Sequence, residues 1–421
     1  MLGRLVVLVV AAAVLPALGT TAAAAPAAPT CQGRPATIVG SPGERVFGTD
    51  GPDVIVSRGA KLVRGEAGDD RICVTGPRPA RGQVRVLAQD GDDRVTVDVD
   101  RRTTTIVQLG QGDDTLVGGP GPEIVQGLPG RDVVRTGGGA DHLRIFGAEP
   151  VDDVVSLGAG ADRVIHTGAG MTDTAELDGD AGRDYLYLGR DAGGAPMLVD
   201  NAAGELRIGG VTDLRWEAFE ELEVSPFGAS RLDLVGGPRP EKFVVPFFRV
   251  DSARLGGGDD VLGFYVPELT DGAVLDGGAG RDHLAPSRTQ GTAHIDLAAD
   301  EMRFSDPAVT ARVPRFENAS VTARRVRLRG DAGPNRLAGF GCDTRVLGGA
   351  GSDVLAYARQ FQRVFDCRIR TVLRGGPGAD LLLGGPRADL LYGGAGTDRA
   401  RAGGGRDLCR GIEKRKGCER R

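Results

Sequence analysis

The apolar positions of this chain recur at a step of nine rather than at the two of a strand or the 3.6 of a helix. Counting by nines from Asn335 gives Thr344, Asp353, Gln362, Thr371, Asp380, Asp389, Asp398 and Asp407. Two residues after each position stand Leu337, Val346, Leu355, Val364, Leu373, Leu382, Leu391, Ala400 and Cys409, all apolar. The apolar ladder persists where the aspartate is missing, so nine is a structural period that carries an optional acidic site. Fixed periods of this kind mark stacked repeat architectures. The first six residues of each unit turn sharply, because glycine reaches backbone conformations closed to most residues. The last three form a short strand whose middle side chain faces the core, and two units make one flattened coil of eighteen residues.

The unit is tight in two blocks. In "GQGDDTLVGGPGPEIVQGLPGRDVVRTGGGADHL" the acids Asp114, Glu123, Asp132 and Asp141 are nine apart. In "GGPGADLLLGGPRADLLYGGAGTDRARAGGGRDLC" they are Asp380, Asp389, Asp398 and Asp407. Single copies with glycine two residues earlier occur at Asp53, Asp70, Asp93, Asp162, Asp184, Asp260, Asp282 and Asp353, and Asp153 follows the pattern without that glycine. A longer repeat is superposed. "AELDGDAGRDYL" returns as "AVLDGGAGRDHL", and "FEELEV" returns as "FENASV", so residues 173–365 read as a tandem duplication of modules of about 95 residues. Each copy passes through a glycine-poor stretch, which in the second alternates like strand.

This spacing suits calcium. Strands in neighbouring coils lie about 4.8 Å apart, so carboxylates eighteen residues apart stack at that distance. Two Ca–O bonds of about 2.4 Å span it. Asp114 with Asp132, Glu123 with Asp141, Asp380 with Asp398 and Asp389 with Asp407 are the predicted pairs, with loop carbonyls completing the shell. Oxygen-only ligands select Ca²⁺ over zinc or copper. Without an ion, mutual repulsion of the stacked charges is expected to loosen the coils.

The unit resembles the RTX, or haemolysin-type, calcium-binding repeat. The resemblance implies an all-β fold, a right-handed parallel β-roll with Ca²⁺ between turns, and places the ligand position on Asp70, Asp114, Glu123, Asp132, Asp141, Asp162, Asp184, Asp260, Asp282, Asp353, Asp380, Asp389, Asp398 and Asp407. Arg45, Asn335, Thr344, Gln362 and Thr371 depart from it, Glu123 and Glu241 replace Asp, and Arg387 replaces the last loop glycine. The match is poorest over 185–250.

Composition fits a turn-rich solenoid: Gly supplies 68 of the 421 residues and aromatics only 5%. The net charge of -5 argues against a nucleic-acid partner. The start, "MLGRLVVLVVAAAVLPALGTTAAAAPAAPTC", reads as a secretory signal peptide ending near Ala24. No further stretch is long and apolar enough to span a membrane. Six cysteines follow the signal, an even number that favours disulfides in an exported chain. Nearest-neighbour pairing gives Cys31 with Cys73, Cys342 with Cys367 and Cys409 with Cys418.

The expected organisation is a signal peptide over 1–24, a linker over 25–39, an N-terminal β-roll over 40–172, the duplicated modules over 173–365, and a C-terminal β-roll with a disulfide-tied cap over 366–421. No H-E-x-x-H or G-x-S-x-G occurs. His142, His166, His283 and His294 are scattered and read as surface residues, and Trp216 as core or surface packing. The chain therefore reads as a secreted, non-catalytic calcium-binding β-roll with a structural or surface-interaction role. The runner-up is a calcium-dependent polysaccharide-binding or epimerase/lyase-like module, with extracellular polysaccharide or cell-surface components as candidate partners.

Overall fold

A computed structural model describes residues 28–77, 82–127, 129–147, 152–168, 175–246, 248–266, 269–287, 289–357, 367 and 369–419. The expected signal peptide and the ladder positions Gln362 and Val364 lie outside them. The chain is all-β, a parallel solenoid of about 16 turns. Each coil gives one strand to a first face and one to a second, and each strand pairs in parallel with its counterpart in the next coil. Thr115–Val117 on Val133–Arg135 and Leu381–Leu383 on Arg399–Arg401 are examples.

The strands are short because the sequence turns every few residues, and their middle side chains point inward. Leu116, Leu382 and Ala400 are buried while their strand neighbours are half-buried or exposed. Every described rung of the nine-residue ladder, from Leu337 through Leu391 to Cys409, is buried. The core is one long column of Val, Leu, Ile and Ala between the two faces.

Eighteen is the coil length only where the repeat is tight. Equivalent loop residues are 21 apart at Asp141 and Asp162, 27 at Asp353 and Asp380, and 36 at Asp184 and Glu220. The two longest coils contain the glycine-poor stretches. Pro196–Asp200, Glu205–Ile208 and Val211–Arg215 form an antiparallel meander, and so do Thr289–Asp296, Glu301–Ser305 and Ala308–Arg312. The first strand of each meander also joins the second face, on Arg231–Val235 and Asn318–Arg329 respectively, so residues 185–250 stay in the stack. Asn318–Arg329 serves both faces: its start pairs with Arg336–Phe340 and its end with Asp343–Leu347.

All three expected disulfides form, Cys31–Cys73, Cys342–Cys367 and Cys409–Cys418. The last ties down the final strand, Lys414–Lys416, which pairs with Arg399–Arg401 at the end of the stack. No helix among the described residues is long and apolar enough to cross a membrane.

The surface reading of the histidines fails in part. His142 and His294 are exposed, but His166 is 1% exposed and its ring nitrogens have no hydrogen-bond partner. Burial, aided by the Arg190 charge, holds it down at about 3. It lies one strand away from Leu188, on an inward position that the parallel register dictates. Trp216 is buried, and its Nε1 donates to Asn201 Oδ1 at 2.6 Å.

A column core fails by local collapse. Leu382→Ala, at the centre of the C-terminal stack, is expected to lower stability by about 2–5 kcal/mol. Chemical denaturation followed by far-UV circular dichroism measures it.

Candidate metal centre

Each acidic residue at the repeat's ligand position precedes a strand, at the corner where the glycine loop enters the sheet. The peptide N–H at that corner cannot join the ladder of its own sheet, so it takes a partner from the next coil. Asp114 N donates to Asp132 Oδ1 at 2.8 Å, and Asp132 N donates to Asp153 Oδ1 at 2.9 Å. Asp53, Asp70 and Asp93 extend this row upstream in the same way.

A second row lies on the opposite corner. It runs from Glu123 through Asp141 and Asp162 to Asp184, whose N–H donates to Glu220 Oε2 at 2.9 Å. It resumes from Glu241 to Asp260, Asp282 and Glu317, then from Asn335 to Asp353, Asp380, Asp398 and Glu413. Asp389 and Asp407 form a short third row, linked at 2.9 Å.

All fourteen acids singled out from the sequence are 1% exposed or less. The four predicted pairs are neighbours in consecutive coils. Eight further members complete the rows: Asp53, Glu241, Asn335 and five more. Asp93 and Asp153 match the repeat by inspection, while Glu220, Glu317 and Glu413 do not. The signal for two of them was the glutamate after phenylalanine that "FEELEV" and "FENASV" share.

The second carboxylate oxygen decides the chemistry. Oδ2 of Asp70, Asp93, Asp114, Asp132, Asp141, Asp153, Asp162, Asp184, Asp260, Asp282, Asp353, Asp380, Asp398 and Asp407, Oε2 of Glu123 and Oδ1 of Asp389 are buried with no hydrogen-bond partner. A buried charged oxygen left in this state costs upwards of about 1–3 kcal/mol. The space beside it is lined by oxygen. A Cβ placed on Gly375 would lie 2.0 Å from Asp380 Oδ2 and 2.8 Å from the Gly393 carbonyl oxygen. One placed on Gly393 would lie 2.2 Å from Asp398 Oδ2 and 1.9 Å from the Gly411 carbonyl oxygen. Glycine leaves open a cradle between a carboxylate and the carbonyl of the adjoining coil. Among the described residues no three His, Cys, Asp or Glu side chains converge on one point, so backbone carbonyls must supply much of any cation's shell.

Lapsed positions behave differently. Asn335 accepts from Asp331 N through Oδ1, and its Nδ2 donates to the Glu317 carbonyl at 2.8 Å. Glu241 takes Gly237 N–H on one oxygen and Asn201 Nδ2 on the other, each at 2.8 Å. Asp53 is held by Thr37 and Thr49. Thr344 and Thr371 present buried hydroxyls without partners but carry no charge. Arg387, in the loop of Asp389, is exposed and leaves that carboxylate buried.

The family described as RTX calcium-binding nonapeptide repeat (4 copies) matches residues 108–143, 327–355 and 374–409. The chain carries RTX calcium-binding repeats. Two of the matched segments coincide with the tight blocks and the third, 327–355, spans the lapsed positions Asn335 and Thr344 as well as Asp353; the repeats imply Ca²⁺ as the cation. Comparison with curated proteins finds no match.

Burial, more than the mutual repulsion expected from the sequence, raises the carboxyls of the cation-free protein. It pushes Glu123 up to about 9, Asp132 to about 8, and Asp93 and Asp260 to about 7. Asp114, Asp353 and Asp389 rise to about 6 for the same reason. A carboxyl whose pKa is raised by folding favours the fold below its unfolded value near 4, and that contribution is lost as pH climbs through the raised value. Calcium-free protein should therefore melt at least about 5 °C higher at pH 5 than at pH 8. Differential scanning calorimetry in chelator checks the direction.

Proposed function

We propose that this protein is a secreted, non-catalytic β-roll that binds Ca²⁺ between its stacked loops and serves as an extended structural or surface-interaction module. The observation that carries the reading is the array of buried carboxylate oxygens without donors, set against loop carbonyls, in a chain that carries RTX calcium-binding repeats. The ligand set we assign is Asp70, Asp114, Glu123, Asp132, Asp141, Asp162, Asp184, Asp260, Asp282, Asp353, Asp380, Asp389, Asp398 and Asp407, joined by Asp93 and Asp153.

In these positions Ca²⁺ supplies the charge compensation that the core withholds. The chain's own groups hold the carboxylates: backbone N–H fixes one oxygen, glycine keeps room beside the other, and the apolar rung below excludes water. Because the cradle exists only when coils are stacked, cation binding contributes directly to folding. Extracellular calcium modules commonly work at about 10⁻⁴ to 10⁻³ M, the range that suits an exported protein. The three disulfides agree with that location. A non-catalytic role is supported by the burial of the acid pairs, each member of which is 1% exposed or less.

Asn335 suggests the test. Asp380→Asn with Asp398→Asn keeps an acceptor for the ladder and adds a donor where the cation would sit. Calorimetric titration should show fewer calcium ions bound and no loss of the N-terminal set, while circular dichroism stays β-rich. Unchanged stoichiometry, or no heat with the native protein at millimolar Ca²⁺, contradicts the assignment.

A further inference from the structure

The net charge of -5 conceals a division. Residues 324–421 hold 21 Lys and Arg against 10 Asp and Glu, a balance of +11, whereas residues 1–323 hold 31 against 47, a balance of -16. Five of those ten C-terminal acids, Asp353, Asp380, Asp389, Asp398 and Asp407, are buried in the corner rows. What the C-terminal coils present to solvent is overwhelmingly cationic.

Much of this charge is gathered on one surface. On the outer side of the second face, parallel register sets Arg327 beside Arg345, with Val372 and Leu390 following, and Arg329 beside Leu347, Arg374 and Tyr392. Arg370 continues the line begun by Arg325 and Asp343. Arg327, Arg329, Arg345, Arg370 and Arg374 line, with His294, an open groove of about 540 Å³. Asp343 pairs with Arg327 and Arg345, and Asp296 with Arg329. Arg370 and Arg374 are exposed and meet no acidic side chain among the described residues, although Arg374 sits 5.2 Å from the Tyr392 ring centre.

We infer that this groove binds a linear acidic polysaccharide. Arg329 and Arg374 lie two strands apart, about 9.6 Å, with Arg370 beside them, a cationic array for the carboxylates of a flexible sugar ribbon. Leu347, Leu390 and Tyr392 between the arginines offer the apolar and aromatic surface on which sugar rings lie. The groove spans only a few strands, and the part of the chain that precedes it, residues 1–323, carries the balance of -16, which disfavours a stiff nucleic-acid duplex. Its apolar surface is a narrow strip, too little to enter a bilayer. Recognition rests on the calcium-binding reading in one respect: the groove strands Arg370–Pro377 and Asp389–Ala395 hang from the rows containing Asp353, Asp380, Asp389 and Asp407, so an ordered groove needs ordered rows.

The test uses full-length protein in millimolar Ca²⁺ and a short hyaluronate oligosaccharide, with dextran, duplex DNA and anionic phosphatidylglycerol vesicles as comparators. Arg370→Glu with Arg374→Glu should weaken hyaluronate binding at least tenfold and flatten its salt dependence, while calcium stoichiometry and the circular dichroism spectrum stay native. Arg101→Glu, on an exposed turn of the N-terminal coils far from the groove, should leave binding unchanged. Native-strength hyaluronate binding by the double variant, binding of dextran as tight as hyaluronate, or tighter binding of DNA or vesicles overturns the inference. If the native protein takes up no Ca²⁺ yet binds hyaluronate through Arg370 and Arg374, the calcium reading fails and the groove stands.

Discussion

The structure depends on one arrangement, a buried carboxylate with one oxygen bonded and the other bare. The bonded oxygen receives the corner N–H of the preceding coil, and that contact joins consecutive turns where the sheets cannot. A hydrogen bond to a charged acceptor contributes about 1.5–3 kcal/mol, and it recurs along all three rows. The bare oxygen opposes this, because burial without a donor penalises the charged form. A roll built from many such corners is held together and held under tension by the same side chains. A proton or a cation at the bare oxygen releases the tension.

The lapsed positions support this view from inside the same molecule. Where the repeat puts asparagine at 335, an amide donor appears and no bare charge remains. Glu241 turns to a backbone N–H and an asparagine, and Asp53 collects two threonines. The coil geometry survives each change, since the apolar rung two residues on is retained. The solenoid step and the cation site are thus separable properties of one nonapeptide, and degenerate coils can act as spacers between loaded ones.

Much of this was legible in the sequence. The rungs from Leu337 to Cys409 and the partners of the tight pairs follow from a period of nine, because hydrophobic periodicity reports burial directly; the burial of the fourteen acids does not, since polar residues carry no such signal. Coil lengths away from the tight blocks did not follow. Meanders at 196–215 and 289–312 insert residues without altering the rungs on either side, so counting by nines passes over them. Glu220 and Glu317 were hidden for the same reason, and Glu413 because it follows Asp398 by 15 residues rather than 18. His166 escaped because an isolated histidine has no period, and the Arg370 and Arg374 surface escaped because whole-chain net charge averages over faces that only the parallel register brings together.

Proton release on calcium binding tests the central claim most directly. At pH 7 several corner carboxyls of the calcium-free protein, Glu123 and Asp132 foremost, hold protons that a bound cation must displace. Titrating Ca²⁺ by calorimetry in buffers of differing ionisation enthalpy counts those protons. The account predicts net release at pH 7 that grows smaller by pH 9. Binding without proton release at pH 7 would contradict it.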